Sequence, residues 1–499
     1  MKKKFALIPV MPTPNGPLHL GHLAGPFLKM DVLARHLRRL GHDVSIVSAT
    51  DPYETHILPV SRNENKEELD VCHENYENIK RCLKTLSIEF DTFINPVEKK
   101  YKDRLFEITK NIVTQVLEKK NFYYLEEILH RNIQSKEIVV GSRIAGICPH
   151  CLNKMGGYHC EACGQEVFPE EIIHPFDTDN PDQELLIDSV QTLFLKADSE
   201  YIINNMKKCK VPVSIQNIVV KYMENHDANV RLTNPGEWGI KLNDIIHTDN
   251  ESVIFTYTAL ICLAVLCGEE IKEHLNLSNN PLSKNSECYV IGSFGFDNTV
   301  PFCLSVPTIA QLSNDFRGFD QYFTNFFYTL DGAKFSTSRR HCIWGYDALE
   351  TLNTTPDILR LYLSITSPEL EKTNFSNEDF FRFNKKISEF ISQSEKFDTQ
   401  DRIDLNDLML NIHFVESLNL IQKSLSIDHF SLQMAGKIIY KWITDESIPE
   451  NIKTMGFSIL ANSIMPDISN KFFLKFRYKS NDLFNINNIL ENKNEYTFK

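Results

Sequence analysis

Apolar positions run together near the start of the chain and fall into helical spacing toward its end. Phe5 to Val10 is an unbroken apolar run ahead of the turn-forming stretch MPTPNGP, as expected of a strand buried on both faces. A helix is predicted from about His22 to Leu40, with Leu28, Val32, Leu33, His36 and Leu37 near helical spacing and Gly41 closing it. Val44 to Ala49 reads as a second strand. Strand, helix and strand at this spacing open a parallel α/β sheet, where ligands bind beyond the carboxyl ends of the strands.

The pattern changes three times after that. From about 115 to 240 it breaks into short strand-like runs with a cysteine cluster, as in a domain inserted between two halves of the sheet. The α/β pattern resumes to about 345, with Cys288 to Ile291 as a strand. From about 355 it turns helical: Leu359, Leu361, Tyr362 and Leu363 begin it, and 405–426 and 452–464 continue it. The predicted class is therefore α/β, a Rossmann-like parallel-sheet catalytic domain in two halves, 1–114 and 241–354. An inserted domain with a zinc knuckle (115–240) and a C-terminal α-helical bundle (355–499) complete it. Val253 to Cys267 is apolar for fifteen residues, short of the ~20 that a spanning helix needs, and reads as a buried helix.

Composition narrows the function. A chain of 499 residues exceeds one hydrophobic core. Its net charge of -13 argues against gripping nucleic acid through overall charge, though not against a local basic path. Twelve cysteines, four clustered and the rest scattered, suit a reducing compartment. The start, MKKKFALIPVMP, has too short an apolar run and no small-residue cleavage site for a signal peptide, so a cytoplasmic, non-membrane protein is expected.

Three motifs carry chemistry. His19-Leu20-Gly21-His22 lies between the first strand and its helix, where free N–H groups favour phosphate and Gly21 lets the backbone approach a ligand. Lys334, Ser336, Ser338, Arg339 and Arg340 lie in a polar loop that could close over a triphosphate. Each alone is weak, two surface histidines or a solvated basic loop being common. Cys148-Pro-His-Cys151 and Cys160-Glu-Ala-Cys163 are two knuckles spaced to hold one structural Zn2+ through four thiolates, with His150 and His159 as spare ligands.

HxGH after the first strand and KxSxS after the last are the signature of class I aminoacyl-tRNA synthetases. Within that class the chain resembles methionyl-tRNA synthetases along MPTPNGPLHLGHLAGPFLKMDVLARHLRRLGHDV, at Gly295-Phe296-Asp297-Asn298, at Pro301-Phe302 and in DGAKFSTSR. TTPDILRLYL, NFSNEDFFRF and ILANSIMPDISNKF resemble the family's linker and anticodon-binding helices. The resemblance implies ATP and Mg2+, with an amino acid activated as its adenylate. It implies that Asp51 holds the α-amine, that Asp297 meets the ribose with Gly295 leaving room, and that His19, His22 and Lys334 serve the phosphates. Ser336, Ser338 and Arg339 would cover the triphosphate. For Asp51 a helix N-cap is the structural alternative.

The amino-acid pocket departs from the family. Beside Met11, its tyrosine is Thr13, its tryptophan falls at about Thr258, and its histidine is Cys303. Loss of three rings predicts a side chain other than that of methionine. The second lysine of the loop motif is Thr337, the stretch after Asp51 reads Pro52-Tyr53-Glu54, and Asn234-Pro235 precedes Trp238-Gly239 in place of the family's charged pair. Residues 401–499 carry 11 Lys+Arg against 12 Asp+Glu, with Lys471, Lys475, Arg477 and Lys479 as the nearest candidate for a basic stripe and a solvated helix face as its alternative. Three functions stay open: a diverged paralogue passing another amino acid to a small-molecule or carrier acceptor, a methionyl-tRNA synthetase acting on tRNA, and an inactive tRNA- or protein-binding module.

Overall fold

The computed structural model describes residues 2–160, 162–248, 251–335, 341–397 and 405–475. The first apolar run is strand β1 (Lys4–Pro9), buried from its second residue on. It lies at the centre of a five-stranded parallel sheet. On one side follow β2 (Asp43–Ala49) and β3 (Thr92–Ile94). On the other lie β4 (Tyr289–Gly295) and β5 (Gln321–Asn325), with Phe5 opposite Tyr289 and Ile291 opposite Gln321. The chain leaves β1 toward β2 but returns on the opposite side at β4. The crevice at the carboxyl end of β1 is therefore the topological switch point of the sheet.

The helix predicted from His22 is less regular than its apolar spacing implies. Leu20–His22 makes a first turn, Leu23–Phe27 a wide π-type turn, and helix α1 (Leu28–Arg39) follows. Pro26 has no N–H to give to the ladder, and Gly25 takes a non-helical ψ of -110°. The residue beyond Leu40 is Gly41, at φ 82, where a left-handed backbone ends the helix. The apolar run from Val253 begins in a strand, Ser252–Ile254, and becomes helix α2 only from Thr256, running to His274. No helix among the described residues is long and apolar enough to cross a membrane.

Between β3 and β4 stand three antiparallel sheets, the smallest pairing Thr233–Pro235 with Ser252–Ile254. The long ribbon Phe122–Asn132 pairs with Leu185–Lys196, extended by Asn229–Arg231. A three-stranded sheet of Lys154–Gly156, Ile144–Ile147 and Ile173–Asp177 carries the cysteines. Beyond the parallel sheet a small sheet of Tyr328–Leu330, Ala333–Lys334 and Thr373–Phe375 leads into helices that include α3 (Pro356–Ile365), α4 (Asn377–Lys396), α5 (Ile412–Ser424), α6 (Leu432–Thr444), α7 (Glu450–Leu460) and α8 (Pro466–Lys475). The helix expected over 405–426 is broken at Asn411, whose side chain accepts from the Phe414 N–H and caps α5. Parallel sheet and helices share one apolar core. Arg360, fully buried on α3, joins them: it donates to Asp31 Oδ2 at 2.7 Å and to the carbonyls of Leu86 (3.0 Å), Ile464 (2.7 Å) and Ser463 (3.2 Å).

Candidate active site at the carboxyl edge of the parallel sheet

Beyond Pro9 the backbone runs extended along the sheet edge. The Val10 N–H donates to Ser293 O at 2.8 Å, and the Asp51 N–H donates to Pro12 O at 2.9 Å. Segment 343–345 clamps the next turn, with Leu20 N–H on Ile343 O (3.0 Å) and Gly345 N–H on Leu18 O (2.7 Å). These bonds place the ends of β1, β2 and β4 around one cavity of about 900 Å³.

His19 caps the first helical turn, its Nδ1 accepting from the Gly21 N–H at 3.1 Å. His22 Nδ1 lies 3.4 Å from the His19 N–H and accepts from it. With both Nδ1 atoms accepting, each ring carries its proton on Nε2. The rings stack at 3.8 Å, and Phe335 covers His19 from the other side at 4.6 Å. A Cβ on Gly21 would come within 3.0 Å of the His19 ring, so glycine here keeps the imidazole seated. Lost solvation pulls the His19 pKa down to about 2, with His22 and Lys334 pushing the same way. His22 opens onto the cavity, yet the surrounding protein holds its pKa down to about 4 against the opposing carboxylate of Asp297. Both imidazoles are neutral at pH 7.

Lys334, exposed on the short strand Ala333–Lys334, and Asp297, exposed in the turn Phe296–Asn298 after β4, line the same cavity. A Cβ on Gly295 would fall 2.5 Å from Asp297 Oδ1. Asp51 lies at the end of β2 and is buried. Its Oδ2 accepts from Thr256 Oγ1 at 2.7 Å, while the buried Oδ1 has no hydrogen-bond partner among the described residues. Burial raises its pKa to about 7, opposed by the Thr256 hydroxyl and aided by Glu54. Asp51 caps no helix.

The cavity thus gathers His19, Gly21, His22, Asp51, Gly295, Asp297, Lys334, Met11 and Thr13. Two expected residues stay outside it. Thr258 is buried with its hydroxyl donating to Arg231 O at 3.1 Å, and Cys303 is sealed in the core. Helix α2 turns Thr256, Tyr257 and Leu260 to the cavity instead. Helical spacing from Thr256, one turn ahead of Leu260, is the sequence signal for that face. Ser336, Thr337, Ser338, Arg339 and Arg340 lie outside the described residues.

The four knuckle sulfurs lie within 4.8 Å of one another, Cys148 and Cys163 at 3.8 Å and Cys151 and Cys160 at 3.6 Å. Zn–S bonds of about 2.3 Å in a tetrahedron require S···S edges of about 3.8 Å, so the donor set fits zinc. His159 is turned to Glu166, at 3.1 Å, and the thiols need neither spare histidine. Among the described residues this is the one cluster of three or more potential metal ligands. The turn that follows it touches the cavity wall: Gly164, at φ 74, would drive a Cβ to 2.5 Å from the Phe296 ring.

The family model for tRNA synthetases class I (M) matches residues 8–393. A methionine–tRNA ligase of Methanococcus aeolicus is 26% identical over 387 residues, 76% of this chain and 56% of the relative. One from Methanobrevibacter smithii is 26% identical over 380 residues, covering 75% and 55%. The chain thus spans little more than half the length of these relatives. The methionyl-tRNA synthetase of Mycobacterium tuberculosis bound by methionyl-adenylate shares the fold, with a TM-score of 0.67 at 13% identity over 94% of each chain. The model's match over most of the sequence establishes that the chain belongs to the class I tRNA synthetase (M) family.

Proposed function

We propose that the protein activates an amino acid other than methionine as its aminoacyl-adenylate and passes it to an acceptor other than tRNA. One observation carries the activation step: two neutral imidazoles, a lysine and two carboxylates from four separate segments line one cavity at the switch point of the sheet.

Asp51 Oδ1 is available to hold the ammonium of the amino acid. A carboxylate oxygen of the amino acid then attacks the α-phosphorus of ATP. The new O–P bond forms as the bond to the bridging oxygen breaks, and pyrophosphate departs with the electron pair. The Nε2–H groups of His19 and His22 donate to the phosphate oxygens as charge shifts onto them. Lys334 meets the departing pyrophosphate, with Ser336, Ser338 and Arg339 extending that cover, and Asp297 accepts from the ribose hydroxyls. Positioning and charge stabilisation supply the rate, so no covalent enzyme intermediate is needed. Mg2+ would enter with the ATP phosphates. Zn2+ on Cys148, Cys151, Cys160 and Cys163 would be structural, since four thiolates leave no open position.

The altered specificity is supported by Thr13 and by Thr256 and Leu260 on the α2 face. A non-tRNA acceptor is supported by the net acidic charge of the helical region and by Lys471, which is paired with Glu395, while Lys475 donates to the Glu395 carbonyl and Arg477 and Lys479 lie outside the described residues. The names of the relatives favour the other reading, methionine charged onto tRNA.

Amino-acid-dependent ATP–pyrophosphate exchange separates the two. Exchange is expected with an amino acid other than methionine, without stimulation of AMP release by total tRNA. His22→Ala should lower it ~100-fold or more. Exchange with methionine alone, followed by tRNA-stimulated AMP release, overturns the proposal in favour of the synthetase.

A further inference from the structure

Beside the large cavity lies a smaller chamber of about 90 Å³. Its walls come from segment 53–56, the Gly141–Ser142 turn, the cysteine sheet at 156–159 and the start of α2. Glu54, His56, Thr256 and Tyr257 border both spaces, so the chamber is a side room of the cavity that holds Asp51.

Its chemistry is one-sided. Tyr53, Tyr158 and Trp238 line it with aromatic rings, Glu54 supplies its carboxylate and His56 and His159 its imidazoles; among the described residues no lysine or arginine borders it, though Arg231 stacks on the Tyr158 ring at 5.4 Å. The Glu54 carboxylate is fixed and mostly buried: Oε2 accepts from the His56 N–H at 2.9 Å, and the side chain is 22% exposed. Its field reaches across the wall, since Asp51, Tyr158 and Tyr257, each raised in pKa first by burial, are raised further by Glu54. Aromatic rings beside a partly desolvated carboxylate are the recognition chemistry of an ammonium group. A ligand with one cation satisfies Asp51 and leaves Glu54 only the His56 ring, 3.9 Å away, and the Thr55 hydroxyl, at 3.4 Å; a ligand set with two gives each carboxylate an ammonium.

We propose that this chamber is an alkylammonium subsite, holding a second amine at Glu54 while Asp51 holds the α-amine of the activated amino acid. The proposal rests on the amino-acid-activation reading. The second amine has two sources, the side chain of the amino acid or a diamine acceptor. In the acceptor case one amine stays charged at Glu54 while the other, neutral, attacks the adenylate carbonyl carbon. A C–N bond forms, the bond from that carbon to the phosphate oxygen breaks, AMP leaves with the electron pair, and the nitrogen's proton passes to water.

The test compares the full chain with Glu54→Gln. Pyrophosphate exchange is measured with L-lysine and L-ornithine against L-norleucine, and AMP release with 1,4-diaminobutane against butylamine. If the side chain is the source, lysine or ornithine supports exchange, and Glu54→Gln raises its KM by about tenfold or more with the KM for ATP unchanged. If the acceptor is the source, exchange measured about two pH units above the Asp51 midpoint, where Asp51 is ionised with or without Glu54, is the same in both proteins, and diaminobutane-stimulated AMP release falls by a similar factor. Exchange with a neutral amino acid, with both readouts identical in the two proteins, overturns the subsite and leaves activation standing. Absence of exchange with every amino acid sinks the activation reading instead. Calorimetry with 1,4-diaminobutane then decides the subsite alone: binding weakened by Glu54→Gln supports it, and equal or no binding overturns it.

Discussion

His19 and His22 stack face to face, and that contact decides how they can act. Two imidazolium rings at 3.8 Å would repel each other, and lost solvation already holds both rings neutral with Nε2 as the donor. In the proposed reaction they would therefore act as fixed dipoles rather than as acids that titrate near neutrality. Asp51 is the opposite case. Its pKa is raised to about 7, and only the ionised form pairs with an ammonium. Protonation below that point removes the ion pair, so kcat/KM for the amino acid should rise as pH is taken from about 6 to about 8, with its midpoint near 7. The pKa values of His19 and His22 lie below that window and add no limb to it. Asp51→Asn should flatten the profile; a limb surviving that substitution would assign the titration elsewhere. At this scale the sequence was informative where local pattern sets the contact, as in the turn of His19, Gly21 and His22. It was poor at the pocket. Thr258 and Cys303 were reached by matching along the chain, and a shift of two residues on a helix turns a side chain from cavity to core.

Among the elements, the cysteine sheet was the most legible, because ligand spacing is a local property that tertiary packing does not rearrange. One zinc per chain should be found by atomic absorption, and Cys160→Ser should lower that stoichiometry; purified protein without metal would remove the assignment. The parallel sheet was legible for a different reason. Strands buried on both faces have to be continuous apolar runs, and Phe5 to Val10 could hardly be anything else. Helix ends were read less well. The turn at Leu23–Phe27 depends on Pro26, whose effect on the hydrogen-bond ladder leaves the apolar periodicity intact. The break at Asn411 depends on one capping side chain inside a continuous apolar pattern.

For the whole molecule, the join between sheet and helices rests on Arg360. Its guanidinium collects a carboxylate and carbonyls from segments that no sequence pattern connects, which is why composition and spacing could not reveal it. Arg360→Met should destabilise the protein by about 3 kcal/mol in urea unfolding, the lower end for breaking a buried pair, because Arg35 still holds Asp31 at 2.9 Å. A smaller change, with the same unfolding midpoint, would show that the join is carried by apolar packing alone.

The abutment of Gly164 on Phe296 has a consequence for how the protein ages. The turn that closes the thiolate cluster stands directly against the wall that carries Asp297, with no room even for a methyl group between them. Oxidation of one thiol would loosen that turn and free the Phe296 ring. On the role proposed for Asp297, the lesion would first appear as weakened nucleotide binding, with the circular dichroism spectrum of the helices unchanged.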